Sequence, residues 1–147
     1  SPQEDERFLH EMRKAHLTTM PDWSRKGVWK AFDCIRMTLR LDWRQVAFTN
    51  LARCHEPSGP DDPLIRACQE SFPLARLVDA VNARVVFLAK AGEVGRSIRI
   101  PGEEDERPLV VRYSNGWSGM RDGLPYQVWV PVQVPAIRSL LSDVCVG

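Results

Sequence analysis

Val46-Ala47-Phe48-Thr49-Asn50-Leu51-Ala52-Arg53-Cys54, and further on Arg84-Val85-Val86-Phe87-Leu88-Ala89-Lys90-Ala91-Gly92, are the stretches on which the reading of this chain turns. Each holds a short run rich in β-branched and aromatic residues that ends abruptly in polar or small ones, the pattern of a strand buried on both faces. Between them lies a loop with Pro57, Ser58, Gly59 and Pro60, then Asp62-Pro63, an N-cap followed by a first-turn proline. Leu64, Ile65, Cys68 and Phe72 give that helix its apolar face, and Pro73 breaks it before Leu74, Leu77, Val78 and Val81 continue a second segment. A third strand is expected at 109–113, ending in Ser114-Asn115-Gly116.

Upstream, residues 3–16 are charge-rich with Phe8, Leu9, Met12 and Leu17 at loosely helical spacing. Ser24 is a suitable N-cap for a helix through Leu41, with Val28, Trp29, Phe32, Ile35 and Leu39 on one face. Downstream, a short helix runs to Ile98, 101–107 is an acidic loop, 126–132 alternates as a strand does, and Pro135 opens a terminal helix. Helices alternating with apolar strands predict an α/β layer fold with a short, mostly parallel sheet. Ligands of such sheets gather at the carboxyl ends of strands. Asn50 and the Ser114-Asn115 pair both stand there.

Composition narrows the class. The 147 residues suit one domain, 1–147, and are enough to bury a core. A start at Ser1-Pro2 without Met reads as a processed terminus or as part of a longer chain. The formal net charge of +1 supplies no bulk basic field, so nucleic-acid binding would need a local patch. No apolar run approaches the roughly 20 residues of a membrane span. Four cysteines (Cys34, Cys54, Cys68 and Cys145) without a CxxC are too sparse for a disulfide scaffold, which favours a reducing, cytoplasmic setting. His10, His16 and His55 have no zinc-ligand spacing, 90–95 lacks the ending of a P-loop, and no Ser-His-Asp motif is present. Lys90, Arg96, Arg99, Arg112 and Arg121 read as scattered solvated charges ahead of a phosphate-binding surface.

The segment from Val46 to Cys54, with Pro57, Pro63, Cys68 and the 84–89 strand, resembles the middle of the uracil-DNA glycosylase superfamily, most nearly its iron–sulfur bacterial and archaeal type. The resemblance covers about a third of the chain and implies a three-layer α/β/α sandwich. It implies a DNA glycosylase, an N-glycosyl hydrolase, acting on or binding a pyrimidine in single- or double-stranded DNA. Asn50 takes the place of the base-reading asparagine, whose amide offers a donor and an acceptor side by side to a pyrimidine edge. Cys54 and Cys68 take the places of two ligands of a 4Fe-4S cluster, which needs two further thiolates that this chain does not supply at a matching spacing. No cofactor is therefore expected in the chain as it stands. Ser114 and Asn115 occupy the loop that carries a catalytic His in the family, absent here, and Trp117 or Met120 would be its apolar wedge. The family's first strand, which lies centrally in the sheet and is followed by the water-positioning loop, has no counterpart before Ser24, so a second chain or another segment is expected to complete the sheet. Two alternatives stand beside the enzyme: a catalytically inactive module of the same fold for nucleic-acid or protein interaction, and an unrelated α/β domain with similar spacings.

Overall fold

The computed structural model describes residue 3 and residues 27–49, 62–90, 92–114 and 119–142. The expected helix over 3–16, the Ser24 cap, Asn50, Cys54, Asn115, Trp117 and Cys145 lie outside the described residues. Within them the chain is a mixed α/β structure: several helices around a short parallel pair of strands.

Helix α1 spans Gly27–Leu39 and buries Ala31, Ile35 and Leu39, spaced four apart so that all lie on one side. It stops because Arg40 adopts a left-handed φ of 57°, which lets the Leu41 amide donate back to the Arg36 carbonyl at 3.1 Å. The Arg36 guanidinium secures this end by donating to the Leu41 carbonyl (3.0 Å) while pairing with Asp33 at 2.9 Å. Helix α2 spans Asp62–Ser71 and α3 spans Leu74–Ala80, divided at Pro73 as the sequence predicts. The break leaves the first amide of α3 without a helical partner, and the Gln69 side chain accepts it at 2.9 Å. Asn82, at φ 51°, closes α3 with the Ala83 amide donating to the Val78 carbonyl.

Strand β1, Val85–Lys90, and strand β2, Leu109–Ser114, pair in parallel from Val85 opposite Leu109 to Lys90 opposite Ser114. A crossover connects them through α4, Gly92–Ser97, and a 3-10 turn at Glu103–Asp105 inside the expected acidic loop. Successive strand residues face opposite ways, and both faces are apolar. Val111 and Tyr113 join Ala31, Ile35, Leu39, Trp129, Val130, Val134 and Ile137 in one core, with Val85, Phe87 and Ala89 packed against it. Leu88 joins Leu74, Val78 and Ile100 in a second, with Val86 and Val110 packed against that one.

Two expected elements differ. Residues 46–49 form no strand; they follow a 3-10 turn at Trp43–Gln45, and Phe48 packs edge-on against Phe32 of α1, ring centres 5.2 Å apart. The expected strand at 126–132 is instead helix α5, Tyr126–Gln133, which a 3-10 turn at Pro135–Leu141 extends. Its alternation is misleading because the buried set is Trp129, Val130, Val134 and Ile137, which is helical spacing. Pro131 lies in the second turn of this short helix, where its missing N–H removes one i→i−4 hydrogen bond. The Arg138 guanidinium ties the end of the structure to α1 by donating to the Thr38 carbonyl at 2.6 Å. Among the described residues, no helix is long and apolar enough to cross a membrane.

Candidate functional site

The carboxyl ends of β1 and β2 finish level at Lys90 and Ser114. Beyond Ser114 the chain returns at Gly119, and the stem of that excursion is held by several independent contacts. The Ser114 amide donates to the Met120 carbonyl at 2.7 Å, and the Ser114 hydroxyl donates to the same oxygen at 3.1 Å. Trp129, fully buried, donates its indole N–H to the Gly119 carbonyl at 2.7 Å. Gly119 sits at φ 48°, with Ala31 and Tyr126 so close that a Cβ there would lie 3.2 Å and 3.4 Å from theirs. Any other residue would be strained by the left-handed φ and would need Ala31 to give by a few tenths of an ångström.

Arg121 completes the stem. Its Nη1 donates to the Arg112 carbonyl at 2.5 Å and its Nε to Gln133 Oε1 at 2.8 Å, with the guanidinium 6.0 Å from the Trp129 ring centre. Gly119, Arg121 and Trp129 were not among the expected site residues. The signal for them is the Gly-x-Arg spacing after a strand with a tryptophan on the following element, which is intelligible only once that element is known to be a helix.

Of the expected site residues, Ser114 and Met120 are brought together, in backbone and side-chain contact. Ser114 is exposed, but its hydroxyl proton is directed at Met120, so the free side of its oxygen is an acceptor. Met120 is half-buried. Asn50, Asn115 and Trp117 fall outside the described residues, as does Cys54. Cys68 is a buried thiol beside Ile65 on the inner side of α2, which packs on α4. Cys34 is a half-buried thiol against the first core, and burial, the largest influence, raises its pKa. Among the described residues no group of three His, Cys, Asp or Glu side chains is placed to hold a metal ion. Of the four thiolates a 4Fe-4S cluster requires, Cys68 is the one described at an implied position.

Of the five basic residues, Arg99, Arg112 and Arg121 are engaged in separate local contacts. Arg112 lies on the opposite sheet face from Tyr113, pairs with Glu103 at 2.9 Å and donates to the Ile98 carbonyl at 2.5 Å. Arg121 is committed to the stem, and Arg99 leans on the Arg96 and Ile98 carbonyls. A depression of about 590 Å³ beside Arg99, Glu103 and Arg112, and another of about 750 Å³ near Arg76, Arg84 and Arg107, both lie away from Ser114 and Met120.

Tyr113, one residue before Ser114, is buried between the Phe32 and Trp129 rings at centre distances of 6.3 Å and 5.6 Å. Among the described residues its hydroxyl has no hydrogen-bond partner, and burial pushes its pKa far above the ordinary phenol range. The unfolded chain ionises this phenol above about pH 10 while the folded chain keeps it neutral, so the folded state then binds more protons and stability falls as pH rises. Tyr113→Phe is expected to remove that alkaline loss. It should also stabilise the protein at pH 7 by about 1 kcal/mol, because a buried hydroxyl without a partner is disposed of. Urea denaturation at pH 7 and pH 10.5 checks both; a destabilised phenylalanine variant at pH 7 would show that the hydroxyl is satisfied.

No family model, curated protein or solved structure matches the chain.

Proposed function

We propose that the chain is a uracil-DNA-glycosylase-like domain of three-layer α/β/α form that binds a pyrimidine base of DNA at the carboxyl edge of its sheet, with Asn50 reading the base. The observation that carries this reading is the level ending of two parallel strands at Lys90 and Ser114, with apolar helices packed on both faces and a rigidly held loop stem at Ser114 and Met120. That is where a doubly covered parallel sheet offers its crevice. The sequence resemblance places the base-reading amide and the loop at the same edge. Residues 46–49 depart from it in forming no strand.

Hydrolysis of an N-glycosidic bond adds water at the sugar C1′ while the base leaves with the bonding electron pair. That chemistry needs a group to orient the water and a donor or positive charge facing the departing base. Ser114 carries no positive charge, and its hydroxyl is engaged with the Met120 carbonyl. This favours base binding without cleavage by the chain alone, and makes hydrolysis conditional on a water-positioning residue supplied by another segment.

The test is fluorescence-anisotropy titration with single-stranded oligonucleotides bearing either one uracil or one abasic site. A preference for uracil is expected, and Asn50→Ala should remove it at a cost of about 1–3 kcal/mol, roughly 5- to 150-fold in affinity. Equal affinity for both oligonucleotides, unchanged by the substitution, would sink the reading. Uracil release that persists in Asn50→Ala would show that the base is read elsewhere.

A further inference from the structure

Helix α5 is apolar on two sides. Its inner side carries Trp129 and Val130, and Val134 and Ile137 follow on the turn that extends it, all within the first core. Its outer side is exposed at Val128, Pro131, Val132, Pro135 and Ala136, which recur at i, i+3, i+4, i+7 and i+8, the spacing of a second helical stripe. Leu124 and Leu140 stand exposed at the two ends. Four of the seven large apolar side chains exposed among the described residues, Leu124, Val128, Val132 and Leu140, therefore lie in this one stretch. A surface helix ordinarily keeps its outer side polar, and a helix that is apolar all round is a buried one.

Charge is withheld from the same stretch. No Asp, Glu, Lys or Arg occurs from Gly123 to Ile137, fifteen residues in a chain of which 27% are charged. Arg138, the one charge between Leu124 and Leu140, turns to α1, where its guanidinium donates to the Thr38 carbonyl. Because the inner side is locked into the core, the outer strip is a preformed surface. We infer that the outer face of α5, from Leu124 to Leu140, is the interface with a second copy of this chain, the two copies being related by a two-fold axis at Val132.

The occupant follows from length and from charge. At 1.5–2.0 Å per residue the strip is about 25–30 Å long and one helix wide, so it accepts one helix of the same length. Among the described residues, the surface with that length and pattern is the strip itself; the other exposed large apolar residues, Met37, Phe72 and Val81, belong to separate elements. An antiparallel pair centred on Val132 sets Leu124 of one copy beside Leu140 of the other, and Val128 beside Ala136. Large side chains then meet at both ends and no like charges are brought together. A partner with a charged face would instead lose the hydration of its charges against this strip and gain no counter-ion. One helix width covers less than the roughly 800 Å² per partner of a stable interface, so the pair is weak, with Kd about 10–100 µM.

The test is sedimentation equilibrium of the full chain from about 5 µM to about 500 µM, a range that spans this Kd. The average mass should rise from that of one chain toward that of two. Val132 is 75% exposed, so substitution there leaves the core intact, which circular dichroism checks. Val132→Asp places two carboxylates at the axis and should weaken association about a hundredfold; Val132→Lys should do the same. An equimolar mixture of the two variants should associate again, because the mixed pair brings opposite charges together, a rescue that a merely misfolded variant would not show. An unaltered chain that stays monomeric at the highest concentration would overturn the inference. So would association that persists undiminished in Val132→Asp, that grows beyond two copies, or that the mixture fails to restore. Asn50→Ala should leave association unchanged, so this result is separable from the test of base binding.

Discussion

Trp129→Ala is expected to destabilise the protein by about 4 kcal/mol, a large part of the 5–15 kcal/mol that holds a typical domain together. The residue is fully buried, beside Tyr113 in the core that joins α1, β2 and α5. Its removal takes away the largest apolar side chain of that core and leaves a cavity bounded by helices that cannot simply close. It also strips the Gly119 carbonyl of its indole donor. Trp129→Phe separates the two effects: it keeps most of the ring volume and loses the donor, and should cost about 1–3 kcal/mol. Urea midpoints for the two variants, read by circular dichroism, check the order. A loss under 1.5 kcal/mol for Trp129→Ala would mean that this core is not the one that stabilises the chain.

The second large effect is expected at Gly102. It sits at φ 90°, where side chains are strained, and a Cβ there would lie 2.1 Å from the Arg107 carbonyl oxygen. That oxygen is backbone in a turn closed by the Arg107 and Asp105 amides donating to the Gly102 carbonyl, so it has no easy route out of the way. Gly102→Ala should open the turn at a cost of about 3 kcal/mol, combining the strain of the left-handed region with the lost hydrogen bonds. Glu103 is carried on this turn, so its pairing with Arg112 should weaken as well. Gly123 is the internal comparison: its φ is 75°, but nothing lies within 4 Å of the added Cβ. Gly123→Ala should cost about 1 kcal/mol, from backbone strain alone. Thermal melts of the two variants side by side check the difference, and equal losses would refute the steric argument.

The parts of the fold legible in the sequence are those where one local cause dominates. Val85 to Ala89 and Leu109 to Tyr113 are uninterrupted apolar runs of strand length, and Asp62-Pro63 and Pro73 mark helix boundaries that no packing overrides. Two readings failed where local pattern and tertiary packing disagree. At 126–132 the placing of Val128, Val130 and Val132 at every other position resembles a strand, yet the adjacent Trp129 and Val130 are both buried in one core, as the helix arranges them. At 46–49, two apolar residues in alternation were too few to specify pairing, and Phe48 found the Phe32 ring instead. The stem of the candidate site was half legible. Ser114 and Met120 stood out as loop residues, whereas the anchoring by Arg121 and Trp129 depends on the helix that the alternation concealed.

The reach of Arg138 to the Thr38 carbonyl spans a hundred residues of chain, and the same core holds Ala31 and Ile137. During synthesis, at about 5–20 residues per second, the apolar side of α1 therefore waits roughly 5–20 s before the last of its covering residues are made. For that interval the nascent chain presents Ala31, Ile35 and Leu39 incompletely covered, which makes it a candidate for capture by chaperones on the ribosome and a poor tolerator of slow codons or truncation beyond α5.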